Sequence, residues 1–217
     1  TLATRSFGGV QVSRTYYTRG QTGQQLQLST ASSLQRQIHL GNVEIFTHHD
    51  LMDLIITEKD GKKHCEGIVT RNLINGEIAP FTGHAVILAT GGYGNVYHKT
   101  TLAKNSNSSA MMRAYERGAY LASPCFVQFH PTGLPVNAKW QAKTTLMSES
   151  LRNDGRIWTP KEKGDDRDPN TIPEEERDYF LERRYPAFGN LVPRDVASRA
   201  ISQQLNAGYG VGPLHNS

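Results

Sequence analysis

The run Ala85-Val86-Ile87-Leu88 constrains the fold of this chain more than any other stretch. Its apolar residues follow one another without alternation, which is typical of a strand covered on both faces in a parallel α/β sheet. Glycines at the carboxyl end of such a strand let the backbone approach a ligand closely. The sequence therefore predicts an α/β unit with a candidate cofactor-binding turn, formed by Ala89, Thr90, Gly91 and Gly92. A tight turn without a ligand is the alternative.

Around this run the pattern indicates helices and short antiparallel strands. A helix is predicted from Thr22, which can cap it, to Gly41, which can end it, and another from Ser108 to Gly118. Turn residues at Lys59-Asp60-Gly61 and Asn75-Gly76 are of the kind found in hairpins. Three β-type runs therefore predict a small antiparallel meander: Val43–Phe46, Leu51–Thr57 and Glu66–Arg71.

Composition excludes several classes of protein. The chain has 217 residues, of which 37% are hydrophobic and 20% charged, as in ordinary globular domains. No apolar run approaches the roughly 20 residues that span a bilayer. The formal charge of +4 comes from scattered Lys and Arg residues, so no basic surface for nucleic acid is expected. Cys65 and Cys125 fit no metal or redox spacing, so we expect free thiols in a reducing compartment.

Polar side chains suited to a small dianion gather in the second half of the chain. An apolar segment delivers His130 into a turn that contains Pro131, Gly133 and Pro135, where a side chain can reach a ligand. A second apolar segment delivers Ser148 and Glu149, and Arg152 follows Glu149 at a spacing that allows pairing in a helical turn. Arg194 precedes a helix predicted from Asp195 to Leu205. Each residue also has a structural alternative: a turn histidine, a capping serine, a surface arginine.

Four ordered motifs carry a resemblance to a known family. They are Ala89-Thr90-Gly91-Gly92, His130-Pro131-Thr132-Gly133-Leu134-Pro135, Met147-Ser148-Glu149 with Arg152 and Asp154-Gly155, and Pro186-Ala187-Phe188-Gly189-Asn190-Leu191-Val192-Pro193-Arg194-Asp195. Together they resemble the flavoprotein subunit of succinate dehydrogenase and fumarate reductase, most closely the non-classical bacterial type. The resemblance implies FAD as the cofactor and succinate and fumarate as the substrates.

The resemblance also implies a role for each site residue. His130, Ser148 and Glu149 would bind the dicarboxylate, although the family commonly has Thr where this chain has Ser148. Arg194 would transfer the proton, and Glu149 and Arg152 would relay it. The Ala89 to Gly92 turn would lie near FAD. This sequence departs from the family pattern at Asn107-Ser108-Ser109-Ala110. The family often has Thr-Gly-Asp-Gly there, with its Asp facing the flavin side.

The reaction explains why an arginine would need helpers. Hydride moves between one methylene carbon of succinate and flavin N5, so the other carbon must exchange a proton with the protein. A guanidinium has an ordinary pKa above about 12, so at pH 7 the neutral form lies roughly 7 kcal/mol or more uphill. A carboxylate and a second arginine that move the proton in step would avoid a long-lived neutral guanidine. A guanidinium can also hold a carboxylate through two hydrogen bonds.

The implied architecture is α/β plus α+β. Residues 1–122 would form part of a Rossmann-like FAD-binding domain with the antiparallel meander, and residues 123–217 would form a capping domain that closes over the substrate. Within the second domain, Pro173 is expected to start a short helix that ends at Leu181, after a solvated loop. No Gly-x-Gly-x-x-Gly turn for a pyrophosphate follows a strand, so we expect a fragment that is inactive by itself.

The implied partners are an iron–sulfur subunit and a membrane anchor cytochrome subunit. They would hold the protein at the inner, cytoplasmic face of the cell membrane. An L-aspartate oxidase-like flavoenzyme is the alternative, because it resembles the same family and shares similar His-Pro-Thr and Pro-Arg-Asp motifs. A non-catalytic anion-binding or assembly module is the alternative for the chain in isolation.

Overall fold

The computed structural model describes residues 3–10, 12–134 and 144–212. Pro135, which belongs to the predicted histidine turn, lies outside these residues. The chain forms two compact units, one of Leu28–Phe126 and one of Thr1–Gln27 with Val127–Ser217. The elements in chain order are β1 (Thr4–Arg5), β2 (Thr15–Tyr16), α1 (Thr22–His39), β3 (His49–Lys59), β4 (Lys62–Asn72), β5 (Ile78–Thr82), α2 (Ser109–Glu116), α3 (Ser150–Asp154), β6 (Thr159–Pro160), β7 (Arg177–Asp178), α4 (Phe180–Arg184) and α5 (Arg194–Asn206).

The unit Leu28–Phe126 is built on a three-stranded antiparallel sheet in the order β3-β4-β5. The β3–β4 turn places Asp60 and Gly61 at φ 52° and 69°, the left-handed conformations of a two-residue hairpin turn. The meander is therefore confirmed, and the predicted strands Leu51–Thr57 and Glu66–Arg71 lie within β3 and β4. The third strand is β5, whose Pro80 is tolerated because β5 is an edge strand.

The predicted strand Val43–Phe46 is wrong. These residues are exposed and belong to no strand, and His48 at φ 56° interrupts the extended backbone before β3 begins. Three helix predictions are confirmed, because α1, α2 and α5 begin and end within two residues of the predicted bounds. Gly41, at φ 74°, stands just beyond α1 as expected of a residue that ends a helix.

The strand predicted at Ala85–Leu88 is also absent from the described residues. The segment has no regular secondary structure, and Ile87 is 88% exposed. A strand obtains its hydrogen bonds from neighbouring strands, and no described strand pairs with this run. The structure thus shows a mixed α/β chain in which the antiparallel meander is formed and the predicted parallel strand is not.

Gly67 allows the close approach of β4 and β5. A Cβ at this position would overlap the carbonyl oxygen of Phe81 and stand 3.1 Å from Ile55 Cδ1. We expect Gly67→Ala to destabilise the protein by about 1–3 kcal/mol, because the strands would have to move apart. Thermal unfolding measures the effect. Gly23→Ala is the control, because Gly23 lies in α1 and a Cβ there would meet open space. An equally large loss of stability in that variant would contradict the explanation.

The second unit packs α4 and α5 around a small core. Its buried members are Phe180, Leu181, Val192, Ala197 and Ala200. The helix predicted from Pro173 to Leu181 is wrong, because the segment splits into a 3-10 turn at Glu174–Glu176, strand β7 and helix α4. In this arrangement β7 pairs with β6, and Phe180 and Leu181 of α4 lie in the core.

The first residues of the chain belong to this second unit and pack against α3 and Pro193. Asn153 Nδ2 donates to Ser6 O at 3.0 Å, and Arg5 pairs with Asp154 at 2.8 Å. Gly9, at φ 80°, lies so close to Pro193 that a Cβ would stand 3.0 Å from its ring. The compact units therefore divide at 27/28 and 126/127, whereas the sequence analysis placed a single boundary at 122/123. The names FAD-binding segment and capping domain remain predictions.

Candidate functional site

The carboxylate of Glu149 bridges two guanidinium groups. Glu149 is the residue just before α3, and Arg152 in the first turn of that helix donates from Nη2 to Glu149 Oε1 at 2.6 Å. Arg194, the first residue of α5, donates to Glu149 Oε2 from Nε at 3.1 Å and from Nη2 at 2.5 Å. The structure therefore joins the three residues predicted to relay a proton in one hydrogen-bonded chain.

Burial differs along this chain of groups. The Arg152 side chain is 1% exposed, that of Glu149 10% and that of Arg194 32%. Arg152 Nη1 donates to the backbone carbonyls of Asn190 at 3.0 Å and Val192 at 2.8 Å, which fixes the buried guanidinium in place. Arg194 is the member that solvent or a ligand can reach, and its Nη1 donates to Gln128 Oε1 at 2.9 Å.

The charges in this cluster control one another's ionisation. Burial would raise the pKa of the Glu149 carboxyl, but the hydrogen bond and charge of Arg194, with the charge of Arg152, lower the pKa below its ordinary value. Burial lowers the pKa of the Arg152 guanidinium, although Glu149 opposes this. Glu149 is therefore ionised at neutral pH, and the three groups together carry one net positive charge. Such a cluster attracts an anion.

His130 lies in a turn that is tied to the segment preceding Glu149. The backbone around Thr132 pairs with that segment through Leu134 N to Thr145 O at 2.8 Å and Met147 N to Thr132 O at 2.9 Å. The amide of Thr132 donates to His130 Nδ1 at 3.3 Å, which leaves Nε2–H as the donor of the neutral ring. Burial and the charge of Arg194 lower the pKa of His130, so the ring stays neutral at pH 7.

Ser148 is exposed, and its Oγ accepts from the amide of Ser150 at 3.2 Å as α3 begins. Its hydroxyl hydrogen remains available to a ligand, because an acceptor role uses only a lone pair. Ser148 thus lies just before α3, and it makes the local contact to a backbone amide that is expected of a structural serine.

The Ala89 to Gly92 turn lies in the other compact unit. All four residues are exposed, and none of their amide N–H groups donates to another backbone carbonyl among the described residues. Gly91 adopts φ 76°, which glycine accepts without strain. A Cβ on Gly92 would stand 3.1 Å from Leu102 Cδ1. Open amides and a glycine-dependent backbone allow a phosphate or a ring to approach closely.

Helix α2 follows the departure at Asn107–Ala110. Ser108, its N-cap, is left-handed at φ 60°, and Asn107 Oδ1 accepts from the amide of Ser109 at 3.2 Å. Asn107 therefore satisfies one amide at the start of the helix, so that part of the sequence has a structural role. Within the part of the chain described, no three His, Cys, Asp or Glu residues form a group that could hold a metal ion.

Comparison with known proteins identifies the family. A family model described as FAD binding domain matches residues 1–212. The chain belongs to the FAD binding domain family. Its curated relatives include the succinate dehydrogenase flavoprotein subunit of Bacillus subtilis, 40% identical over 91% of this chain and 30% of that protein, and the fumarate reductase flavoprotein subunit of Helicobacter pylori, 33% identical over 96% and 26%. FAD is therefore the cofactor of this FAD binding domain, and the flavoprotein resemblance is confirmed.

The structural comparison agrees. A chain of Escherichia coli quinol fumarate reductase superposes on this FAD binding domain with a TM-score of 0.71 at 28% identity, over 95% of this chain and 33% of that one. The chloroplastic L-aspartate oxidase of Arabidopsis thaliana is also similar, at 28% identity over 91% of this chain and 29% of that protein. This FAD binding domain spans about a third or less of the length of the relatives named here.

Several residues of the candidate site escaped the sequence analysis. The carbonyls of Asn190 and Val192 hold Arg152, and Gln128 contacts Arg194. Backbone carbonyls have no side-chain signature, so only the structure of this FAD binding domain could reveal them. The contact between Gly9 and Pro193 did have a signal in the sequence. Gly8 and Gly9 are adjacent glycines, and Gly9 is the one that packs on Pro193.

Proposed function

We propose that the whole protein interconverts succinate and fumarate, and that this chain supplies its proton-transferring cluster. The observation that carries the proposal is the single carboxylate of Glu149 held between Arg152 and Arg194. A buried carboxylate with an arginine on each oxygen can take a proton from one guanidinium and then pass it to the other. That is the arrangement needed to transfer a proton from a group as basic as guanidine.

In fumarate reduction, Arg194 donates a proton to one carbon of the double bond. Bound FAD supplies the complementary chemistry, a hydride exchanged at flavin N5 with the other carbon. Glu149 then takes a proton from Arg152 and passes it to Arg194, so the carboxylate is ionised again at the end. Succinate oxidation runs the same sequence backwards, so the chain of groups serves both directions.

Dicarboxylate binding uses the neighbouring donors. His130 donates from Nε2–H to one carboxylate of the substrate, and Ser148 and Arg194 donate to the same dianion, with Glu149 orienting Arg194. The exposed part of the Arg194 guanidinium and the net positive charge of the cluster support this role. Ala89, Thr90, Gly91 and Gly92 hold FAD through their open backbone.

Two relatives are named as flavoprotein subunits, which supports further subunits as partners of the whole protein. Electrons that reach FAD leave through an iron–sulfur subunit, and a membrane anchor cytochrome subunit holds the assembly at the inner face of the cell membrane. Among the residues described, no helix has the length and apolar character needed to cross a bilayer. Attachment through other subunits is consistent with that finding.

An anaerobic flavin titration tests the function. We expect succinate to bleach the oxidised flavin of the whole protein and fumarate to restore its absorbance. L-aspartate oxidase is the second candidate because the Arabidopsis enzyme is similar over most of this chain. Bleaching by L-aspartate and not by succinate would replace the first proposal by the second. The absence of bleaching by either compound would leave an anion-binding or assembly module.

His130→Ala tests dicarboxylate binding. We expect the affinity for malonate, a dicarboxylate without a reactive double bond, to fall by about 1.5–3 kcal/mol, the cost of a lost hydrogen bond to a charged group. Ser148→Ala should cost less, since its exposed hydroxyl can be replaced by water. Calorimetric titration of the flavin-loaded protein gives both values, and an unchanged affinity of the His130 variant would return that residue to a structural turn.

A further inference from the structure

Asn190 connects the buried Arg152 to a carboxylate outside the relay. Its backbone carbonyl accepts from Arg152 Nη1 at 3.0 Å. Its side chain is fixed at both ends, because Oδ1 accepts from the amide of Ile157 at 2.9 Å and Nδ2 donates to Glu182 Oε1 at 2.8 Å. The position of the carbonyl that holds Arg152 therefore depends on Glu182.

Glu182 is itself firmly held. Arg156 donates to its two oxygens from Nε at 2.8 Å and Nη2 at 2.7 Å, a bidentate pair. Arg156 also stacks on the ring of Tyr179 at 3.3 Å and reaches Glu174 at 3.2 Å. The Glu182 carboxylate thus links a rigid surface arginine to the peptide that contacts Arg152.

An open cavity of about 460 Å³ lies beside these groups, and Arg152, Asp154, Arg156, Glu182 and Asn190 are among the residues that line it. Arg152 Nε is buried and has no hydrogen-bond partner among the described residues. A buried N–H without a partner destabilises the folded state unless water reaches it. Because Arg152 is one of the lining residues, water in the cavity can come next to its guanidinium.

We propose that Glu182 is a positioning residue that, through Asn190, holds Arg152 where it can pass a proton to Glu149. The inference rests on the proposed function. Each fumarate reduced takes up one hydride and one proton. The proton that leaves Arg194 is replaced by one from Arg152, which passes through Glu149. Arg152 then takes a proton from solvent, so one proton is taken up for each turnover.

The test separates the first proton from its replacement. In a single turnover the pre-reduced flavin oxidises with a proton already present on Arg194, so we expect Glu182→Ala to leave that rate within about threefold of the parent. Repeated turnover needs resupply through Arg152, so steady-state kcat should fall by about 10–100-fold, the effect of displacing a reacting group by roughly 1 Å. The KM for fumarate should change little, and the solvent deuterium isotope effect on kcat should rise.

Glu174→Ala is the matched control, because Glu174 also pairs with Arg156 but does not contact Asn190. It should leave kcat and the isotope effect unchanged. Glu182→Gln keeps an oxygen for Asn190 and should recover most of the rate, while Asn190→Asp, which opposes two carboxylates, should reproduce the loss. Flavin content and thermal unfolding verify that each variant is folded.

The outcomes distinguish this inference from the proposed function. If Glu182→Ala and Asn190→Asp, both folded, keep the steady-state rate and the isotope effect of Glu174→Ala, Glu182 does not position the relay. If the parent protein shows no flavin reoxidation by fumarate, the proposed function itself is wrong. A slow single turnover in Glu182→Ala would also overturn the inference, since it would place Glu182 in the first proton transfer.

Discussion

Arg194→Lys should abolish turnover while retaining the flavin and part of the dicarboxylate affinity. Lysine keeps the positive charge, but its ammonium is a compact group on a shorter side chain. It cannot make the two hydrogen bonds that the planar guanidinium of Arg194 makes to Glu149 Oε2. In the proposed reaction the bound dicarboxylate would keep water away from this position. We therefore expect kcat to fall by more than about 10⁴-fold, beyond the usual contribution of a general acid.

The decisive measurement is reoxidation of the pre-reduced flavin by fumarate in a single turnover. Arg199→Lys is the control, since Arg199 lies in the same helix and forms an exposed ion pair with Asp195. A rate within tenfold of the parent for Arg194→Lys would leave that arginine as a substrate clamp only. Combination with Glu149→Gln should be far less than additive if both residues belong to one relay.

Arg152→Ala should be the most destabilising of the substitutions considered. The change leaves the carbonyls of Asn190 and Val192 and one oxygen of Glu149 without their donor in a site that is 1% exposed at Arg152. Removing one partner of a buried ion pair costs about 3–5 kcal/mol. Turnover should fall as well, because Glu149 loses the group that returns its proton.

Native-state hydrogen exchange at the amides of Ala197 and Ala200, both in the core, measures this loss of stability. Arg183→Ala is the matched control. Arg183 also forms an ion pair, with Asp178 at 2.6 Å, but its side chain is 60% exposed, so its removal should cost about 1 kcal/mol or less. Equal losses for the two variants would mean that burial does not decide the strength of the Arg152 contacts.

The part of the site that the sequence could predict is local. Glu149 and Arg152 are three residues apart, so their pairing follows from the geometry of one helical turn. The approach of Arg194 to Glu149 spans 45 residues and followed from the family resemblance alone. The contact of Gln128 with Arg194 and the contacts of two backbone carbonyls with Arg152 could not be predicted from the sequence. Many residue types can make a long-range contact through an amide or a backbone group.

The fold shows the same division. The meander was predictable because Asp60-Gly61 is a hairpin turn by its own conformational preference. The choice of strands was not, since His48 in a left-handed conformation separates Val43–Phe46 from β3. The continuous apolar run at Ala85–Leu88 indicates what the residues favour, but a strand forms only where neighbours supply hydrogen bonds.

The N-terminal segment packs against α3, and this sets an order of events during synthesis. Ser6 and its partner Asn153 are 147 residues apart, so at a translation rate of roughly 5–20 residues per second Ser6 waits about 7–30 s for that partner. The β3–β4 hairpin needs only its own neighbours and can form at once. Ribosomes that stall between Thr82 and Arg194 would thus carry a folded meander without the complete Glu149–Arg152–Arg194 cluster, and Ser6 would be open to chaperones and proteases until α3 emerges.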